Sequence, residues 1–275
     1  MGKIVTVKNP RGKKITFSED DHKYFDEKGN QYRSATTIVH SLFPEFKQDM
    51  MAYVCGRKRL MKEKGYATKE QVPVPECMEM KKVMLAEWEA NRIESCDRGT
   101  AVHRFAECKL LNIDFDGDLN QPKSEKMVKV VGPFVEELLE QYDLIETEKI
   151  VFCPKLLLAG TVDLIMQNKK TKKLCIFDWK TNKAMNLKDS YNQKGLLFLK
   201  HIENCNYWHY VIQLNIYRWI LTKEKYGDYE DVEMGLFHIN TRKVKAYQIP
   251  KLDYEIEQVM DYTKRLKGTT KFLKK

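Results

Sequence analysis

Long apolar runs are missing from this chain of 275 residues: no stretch approaches the ~18 residues that a bilayer-spanning helix requires. The first residues, Met-Gly-Lys-Ile-Val-Thr-Val-Lys, lack the apolar centre of a secretory signal. The expectation is therefore a cytoplasmic protein without a membrane partner, in the host cytoplasm if the chain is phage-encoded. Cysteine occurs in an odd number, seven, scattered from Cys55 to Cys205. In a chain of this kind that pattern reads as free thiols in a reducing compartment rather than as a disulfide framework. No Gly-x-x-x-x-Gly-Lys-Ser/Thr loop is present, so ATP-driven work of that type is not encoded. There is no internal repeat and no linker long enough to divide independent domains. Acidic residues are in the minority, 39 against 48 Lys and Arg, and the net charge of +9 favours a polyanionic partner.

What is present centres on two apolar segments, Leu158-Ala-Gly-Thr-Val-Asp163 and Leu174-Cys-Ile-Phe-Asp-Trp-Lys180. Both have strand character, and the residues 167–172 between them read as a hairpin turn. Asp178 and Lys180 are separated by one residue, so a strand projects both from one face. Asp163 falls on the neighbouring strand. Two carboxylates on adjacent strands repel unless a cation lies between them, and oxygen ligands of this kind suit Mg²⁺ or Mn²⁺. A lysine beside them can orient an attacking water or neutralise charge developing on phosphate. The set points to metal-dependent phosphodiester cleavage. Gly160 lets backbone or substrate approach closely. Gln213 and Tyr217 lie four apart on one helical face, as do His103 and Glu107. Arg98 and Thr100, at the expected start of the His103 helix, are placed to bind a phosphate with help from the helix N-terminus.

Taken in order, Gly99-x-x-x-His103, Gly160-Thr-Val-Asp163, Asp178-Trp-Lys180 and Gln213-x-x-x-Tyr217 resemble the RecB-like branch of the PD-(D/E)XK nuclease superfamily, which includes the mitochondrial genome maintenance exonuclease. The segment from Tyr24 to Thr37 is also similar to the N-terminal hairpin of phage-type exonucleases in this group. The resemblance implies an α/β fold: a restriction-endonuclease-like core with a mixed central sheet flanked by helices, elaborated by an N-terminal hairpin and helices. It implies Asp163 and Asp178 as metal ligands, joined by His103 and the Trp179 main-chain carbonyl, and Lys180 as the catalytic lysine. Gln213 and Tyr217 are implied to steady the active-site strand and touch the substrate backbone, and Glu107 and Glu148 to stand as carboxylates close to the metal. Some members hold an iron-sulfur cluster through cysteines clustered after the Gln-x-x-x-Tyr helix. Here no cysteine follows Cys205, so no such cluster is expected.

The expected organisation is a single nuclease domain over 1–275: residues 1–95 shape a DNA channel, 96–250 form the catalytic core, and 251–275 are a helix with a basic tail. Strands are expected within 5–38, then helices over 47–64, 76–94, from about Gly99, and 124–142. A Met and Trp stripe through Met80, Met84 and Trp88 reads as core. Strands follow over 146–152, 157–166 and 173–178, then an irregular stretch over 181–204 and a helix over 206–225. A strand pair (231–239, 244–249) and a last helix complete the chain. Arg57, Lys58 and Arg59 are candidates for the DNA backbone. The leading expectation is a Mg²⁺-dependent exonuclease acting from DNA ends in phage-type recombination, replication or DNA degradation, with a single-strand annealing or single-strand binding protein as a further partner. The alternatives are an endonuclease of the same fold and a catalytically silent DNA-binding module.

Overall fold

The computed structural model describes residues 4–19 and 21–269, with side chains to 266; the expected basic tail lies largely outside the described residues. Four short strands open the chain: β1 (Ile4–Lys8), β2 (Lys14–Ser18), β3 (Lys23–Asp26) and β4 (Gln31–Ser34). Helices α1 (Ala35–Ser41), α2 (Gln48–Lys64), α3 (Val74–Leu111) and α4 (Pro122–Gln141) follow. Then come β5 (Tyr142–Cys153), β6 (Leu158–Asn168), β7 (Leu174–Lys180) and α5 (Asn206–Lys223). Strands β8 (Glu233–Ile239) and β9 (Val244–Gln248) and helix α6 (Asp253–Thr269) complete the order.

The strands make one mixed sheet in the order β1-β2-β3-β4-β6-β7-β8-β9, with β5 paired to β6 off this path. Strand β5 runs antiparallel along the whole of β6, from Cys153–Leu158 to Tyr142–Asn168. Strands β4 and β7 must therefore share the other edge of β6. Strand β4 pairs in parallel at Leu158 and Ala159, whereas β7 pairs antiparallel from Leu164 to Gln167. Between Ala159 and Leu164 that edge forks, and the backbone of Gly160–Asp163 has neither neighbour in register. Every other feature of the site is arranged around this fork.

Two helical layers cover the sheet. One apolar core packs α1, α5 and α6 against a face that includes Val162, Ile165 and Ile176. The other packs α3 and α4 against Leu164, Met166, Phe177 and Trp179. A flat strand would put Val162 and Leu164 on one face; here they enter opposite cores. The alternation reverses at Asp163, and on β5 the opposing Glu148 has φ 47°, in the left-handed region that residues other than glycine rarely enter. Helix covers on both faces explain why β6 and β7 read as near-continuous apolar runs.

The expected helices over 76–94 and from Gly99 are one helix. Nothing in 95–99 breaks it, and α3 runs 38 residues, about 57 Å at 1.5 Å per residue. It ends where Asn112 turns left-handed (φ 52°) and its N–H closes on Cys108 and Lys109 carbonyls. The boundary expected at 95/96 thus falls inside a helix. The Met and Trp stripe is only half-buried: Met80 packs against the small core between α2 and α3, and Met84 and Trp88 are partly covered. Helix α1 was hidden within what read as strands, and its start is set by Ser34, whose hydroxyl accepts from Thr37 N at 3.0 Å. Strand β5 begins earlier than expected and carries a bulge between Leu144 and Glu146.

Asn215 ties α5 to the β9–α6 connection from within the core. Its amide donates to the carbonyls of Val211 (2.8 Å) and Pro250 (2.9 Å), and its carbonyl accepts from Leu252 N at 2.9 Å. Asn215→Ala would strand buried main-chain groups, and we expect a loss of about 2–4 kcal/mol in urea unfolding. A loss well under 1 kcal/mol would show that these groups find other partners.

Candidate metal centre and its cleft

The fork in β6 opens into a cleft of about 1040 Å³ walled by β2 and β3 on one side and α3 on the other. Asp163, Asp178, Lys180, His103, Glu148, Gln213 and Tyr217 all line it, so residues from β5, β6, β7, α3 and α5 converge there. One ligand atom each from His103, Glu148 and Asp163 lies within 4.8 Å of the other two. His103 Nδ1 is 3.6 Å from Asp163 Oδ2. The same carboxylate accepts the Trp179 N–H at 2.9 Å, so a side chain takes the place of a strand partner in the fork. Glu148 is brought in by register: it sits between the pairs Thr147–Leu164 and Lys149–Val162 and so faces Asp163.

On β7 the strand period places Asp178 and Lys180 together, with Lys180 Nζ 2.5 Å from Asp178 Oδ2. The Trp179 side chain goes to the opposite face and is buried against Phe134 and Phe237. The ammonium also lies over the Tyr210 ring, 4.6 Å from its centroid.

The charges of this site are crowded at the edge of solvent: Asp178 is buried, His103, Asp163 and Lys180 are half-buried, and Glu148 is exposed. Burial raises the Asp178 carboxyl to about 6, with Asp163 adding to the rise and Lys180 opposing it. Asp163 is also raised by burial, against the pull of Lys180 and the Trp179 N–H. Glu148 keeps some contact with solvent, yet desolvation and then the carboxylates of Asp163, Glu107 and Asp178 push it up to about 9. Burial would lower the Lys180 ammonium, but Asp178 and Asp163 outweigh it and the net shift is upward, so the lysine stays charged. Burial, and next Lys180, lower His103 to about 4, which leaves a neutral imidazole at neutral pH, the form that ligates metals.

Helix α5 supports the fork. Gln213 Nε2 donates to the Tyr217 hydroxyl at 2.9 Å, and burial raises the Tyr217 phenol well above its usual value. Tyr217 lies directly over Gly160: a Cβ there would come within 2.4 Å of Tyr217 Cε1. From the other side the Tyr24 hydroxyl bonds Thr161 Oγ1 at 3.0 Å, joining β3 to the unpaired stretch of β6.

The remaining expected residues divide. Thr100 lines the cleft. Arg98 does not; it is buried, with Nη1 on Glu94 (3.1 Å) and Nη2 on Ser95 Oγ (3.1 Å). Because α3 starts at Val74, Arg98 and Thr100 lie deep inside their helix rather than at its N-terminus, and that part of the phosphate-binding expectation is withdrawn. Glu107 lies in the cleft, accepting from Arg104 Nη1 at 2.6 Å and Thr147 Oγ1 at 3.4 Å. Arg57, Lys58 and Arg59 belong to α2, where Arg59 pairs with Glu63 (2.9 Å) and Glu87 (2.8 Å), and none lines the cleft. Sequence reasoning missed Arg104 and Asp116, which meet across a chain reversal and carry no spacing signal, and it ranked Glu148 below its place.

A divalent cation fits these residues. Two carboxylates and a neutral imidazole converge, the Trp179 backbone is beside them, and the buried Asp178 Oδ2 makes no hydrogen bond of regular geometry despite its contact with Lys180. The model of the PD-(D/E)XK nuclease superfamily matches residues 37–274. The chain belongs to this superfamily. It is a hydrolytic nuclease, its family uses divalent metals, and the family's substrate is DNA. No curated protein matches the sequence significantly. Among solved structures, the crystal structure of SSO0001 is similar at 16% identity and a TM-score of 0.27, over 85% of this chain and 75% of that one. A Eubacterium rectale protein named "Putative exonuclease" is similar at 14% identity and a TM-score of 0.38, over 80% of each chain.

The contact between Gly160 and Tyr217 can be tested in this nuclease. Gly160→Ala must displace the Tyr217 ring and with it the active-site edge of β6. Cleavage is expected to fall about a hundredfold at saturating metal, since displacements near 1 Å cost that much. Tyr217→Phe, which keeps the ring and loses the Gln213 bond, is expected to fall far less. An alanine variant as active as the parent would remove Gly160 from this role.

Proposed function

We propose that this protein is a Mg²⁺-dependent DNA exonuclease, and that Asp163, Asp178, His103, Glu148 and the Trp179 carbonyl hold its metal. The observation that carries this reading is the convergence of His103, Glu148 and Asp163 on one point of the cleft, beside the Asp178–Lys180 pair. A cation held there supplies Lewis acidity toward the phosphodiester. Lys180, fixed by Asp178 and kept charged, is placed to orient the attacking water or to stabilise negative charge as the oxygen–phosphorus bond forms and the opposite one breaks. Gln213 and Tyr217 hold the edge of β6 in position and present polar atoms to the substrate backbone, and Thr100 offers a hydroxyl from the α3 wall. This activity suits recombination, replication or degradation of DNA.

The end requirement is supported by how the chain spans one side of the cleft. From Thr36 in the lining, the chain passes through α1 to Phe43, whose ring lies 4.1 Å from that of His209. It then reaches Phe46, whose ring centroid is 5.9 Å from Trp88 on α3, and α3 returns to the lining at Thr100 and His103. In this reading the DNA strand passes on the inner side of that run of chain, which would require it to enter from a free end.

The deciding assay is a time course on linear duplex, linear single-stranded and closed circular DNA, with Mg²⁺ and with EDTA. Loss of linear DNA only with Mg²⁺, circles remaining intact, is the expected result; cut circles would make the enzyme an endonuclease. Asp178→Asn should abolish cleavage and largely keep DNA binding, because affinity comes from phosphate contacts spread over basic residues. Full cleavage by that variant would rule out the assigned site.

A further inference from the structure

The cleft has a charge problem that its metal ligands do not solve alone. Glu19, Glu107, Asp116, Glu148, Asp163 and Asp178 line it, and the only Lys or Arg side chains among the described lining residues are Lys180 and Arg104. Lys180 is committed to Asp178. A polyanion entering this cleft therefore has one further fixed cation to meet, Arg104, one residue beyond His103 on α3.

Arg104 is held from two sides in different ways. On one side, Nη1 donates to Glu107 Oε2 at 2.6 Å, and Glu107, one turn along the same helix, is itself bonded by Thr147 of β5. That contact belongs to the rigid frame of α3 and β5 and sets the plane of the guanidinium. On the other side, Nε donates to Asp116 Oδ1 at 2.7 Å and Nη2 to Asp116 Oδ2 at 2.8 Å. The Nε and Nη2 edge is the fork with which arginine grips two oxygens of a phosphate. Asp116 occupies that edge in the geometry a phosphodiester would use. It comes from the α3–α4 connection, and its side chain is 64% exposed, against 33% for Arg104. A competing phosphate can reach the fork from solvent, since the Asp116 side of the pair is open to water. Its connection stays anchored when the pair opens, because Phe115 packs edge-on against Phe105 of α3 at 5.6 Å.

We propose that Arg104 binds a backbone phosphate of the DNA strand next to the metal ligands, and that Asp116 is the placeholder which a phosphate displaces. The proposal rests on the nuclease reading of the cleft and adds to it a specific phosphate contact. While DNA is absent, Asp116 keeps the fork ordered and neutral in a strongly acidic cleft. When the strand enters, two oxygens of the phosphate replace two oxygens of the carboxylate, Glu107 continues to hold the far side, and Asp116 moves to solvent.

The test is a double-mutant cycle on DNA binding, read by fluorescence anisotropy of an end-labelled oligonucleotide in EDTA, where nothing is cut. Four proteins are compared: the parent, Asp116→Asn, Arg104→Gln and the double variant, each checked by thermal melting. Asp116→Asn is expected to tighten binding severalfold, and Arg104→Gln to weaken it and lower the salt slope by about one. In the double variant the gain from Asp116→Asn should vanish, because the fork it frees is gone. Arg104→Lys, which keeps the charge without the fork, should recover only part of the affinity, and it serves as the readout if the glutamine variant melts early. Equal tightening by Asp116→Asn with and without Arg104 would mean that only general repulsion was relieved, and would overturn the proposal. So would unchanged affinity in Asp116→Asn. A parent that cuts DNA while these variants behave so leaves the nuclease reading standing; a parent that neither binds nor cuts DNA ends both.

Discussion

Repulsion among Glu148, Asp163 and Asp178 is the constraint to which the rest of this structure answers. Three carboxylates are drawn together at a fork where β6 lacks a strand neighbour on one edge. Burial raises each toward its neutral form; neighbouring carboxylates add to the rise of Glu148 and Asp178, whereas Lys180 and the Trp179 N–H pull Asp163 back. Left alone, such a group costs several kcal/mol per buried charge. The protein supplies one permanent cation, Lys180, and one main-chain donor, the Trp179 N–H. Lys180 opposes the rise of all three carboxylates without cancelling it, and the imidazole of His103 adds a neutral ligand rather than a charge. What remains is the demand that a divalent cation satisfies. The same arrangement that destabilises the empty cluster makes the site selective for a compact positive charge.

The backbone around the cluster shows how that arrangement is maintained. Glu148 occupies a left-handed conformation on β5, opposite the point where β6 exchanges the two cores. Strain of this kind, of order 1–3 kcal/mol, persists only where the surroundings over-determine it. Here they do: β5 pairs along the full length of β6, Tyr217 closes over Gly160, and Tyr24 reaches across to Thr161. The reversal turns an ordinary alternating strand into one that delivers Asp163 to the cleft while its flanking residues serve opposite cores.

The long helix α3 links these local devices to substrate access. Its C-terminal half places His103, Arg104 and Glu107 on one wall, and its N-terminal half packs mainly against α2 through a small separate cluster. Because one rod carries both, the position of the wall and the reach of the arm are coupled. The contact of Trp88 with Phe46 connects that arm to the segment leaving α1.

Much of the core was legible in the chain itself. Strand period alone put Asp178 and Lys180 on one face, the apolar runs read as strands, and the four spacings carried the family. Those are properties of neighbours in sequence, where geometry follows from a repeat of two or of 3.6 residues. Other features were settled only by tertiary structure. That α3 continues through 95–99 depends on its packing against α2, α4 and the end of β7, with Gly99 allowing Thr181 to approach to 3.3 Å of where a Cβ would be. The entry of Glu148 into the ligand cluster depends on the register of β5 against β6. The pairing of Arg104 with Asp116 depends on how the chain folds back after Asn112. Sequence determines which chemistry a residue can perform; distance between residues far apart in the chain is set by packing, and no local pattern encodes it.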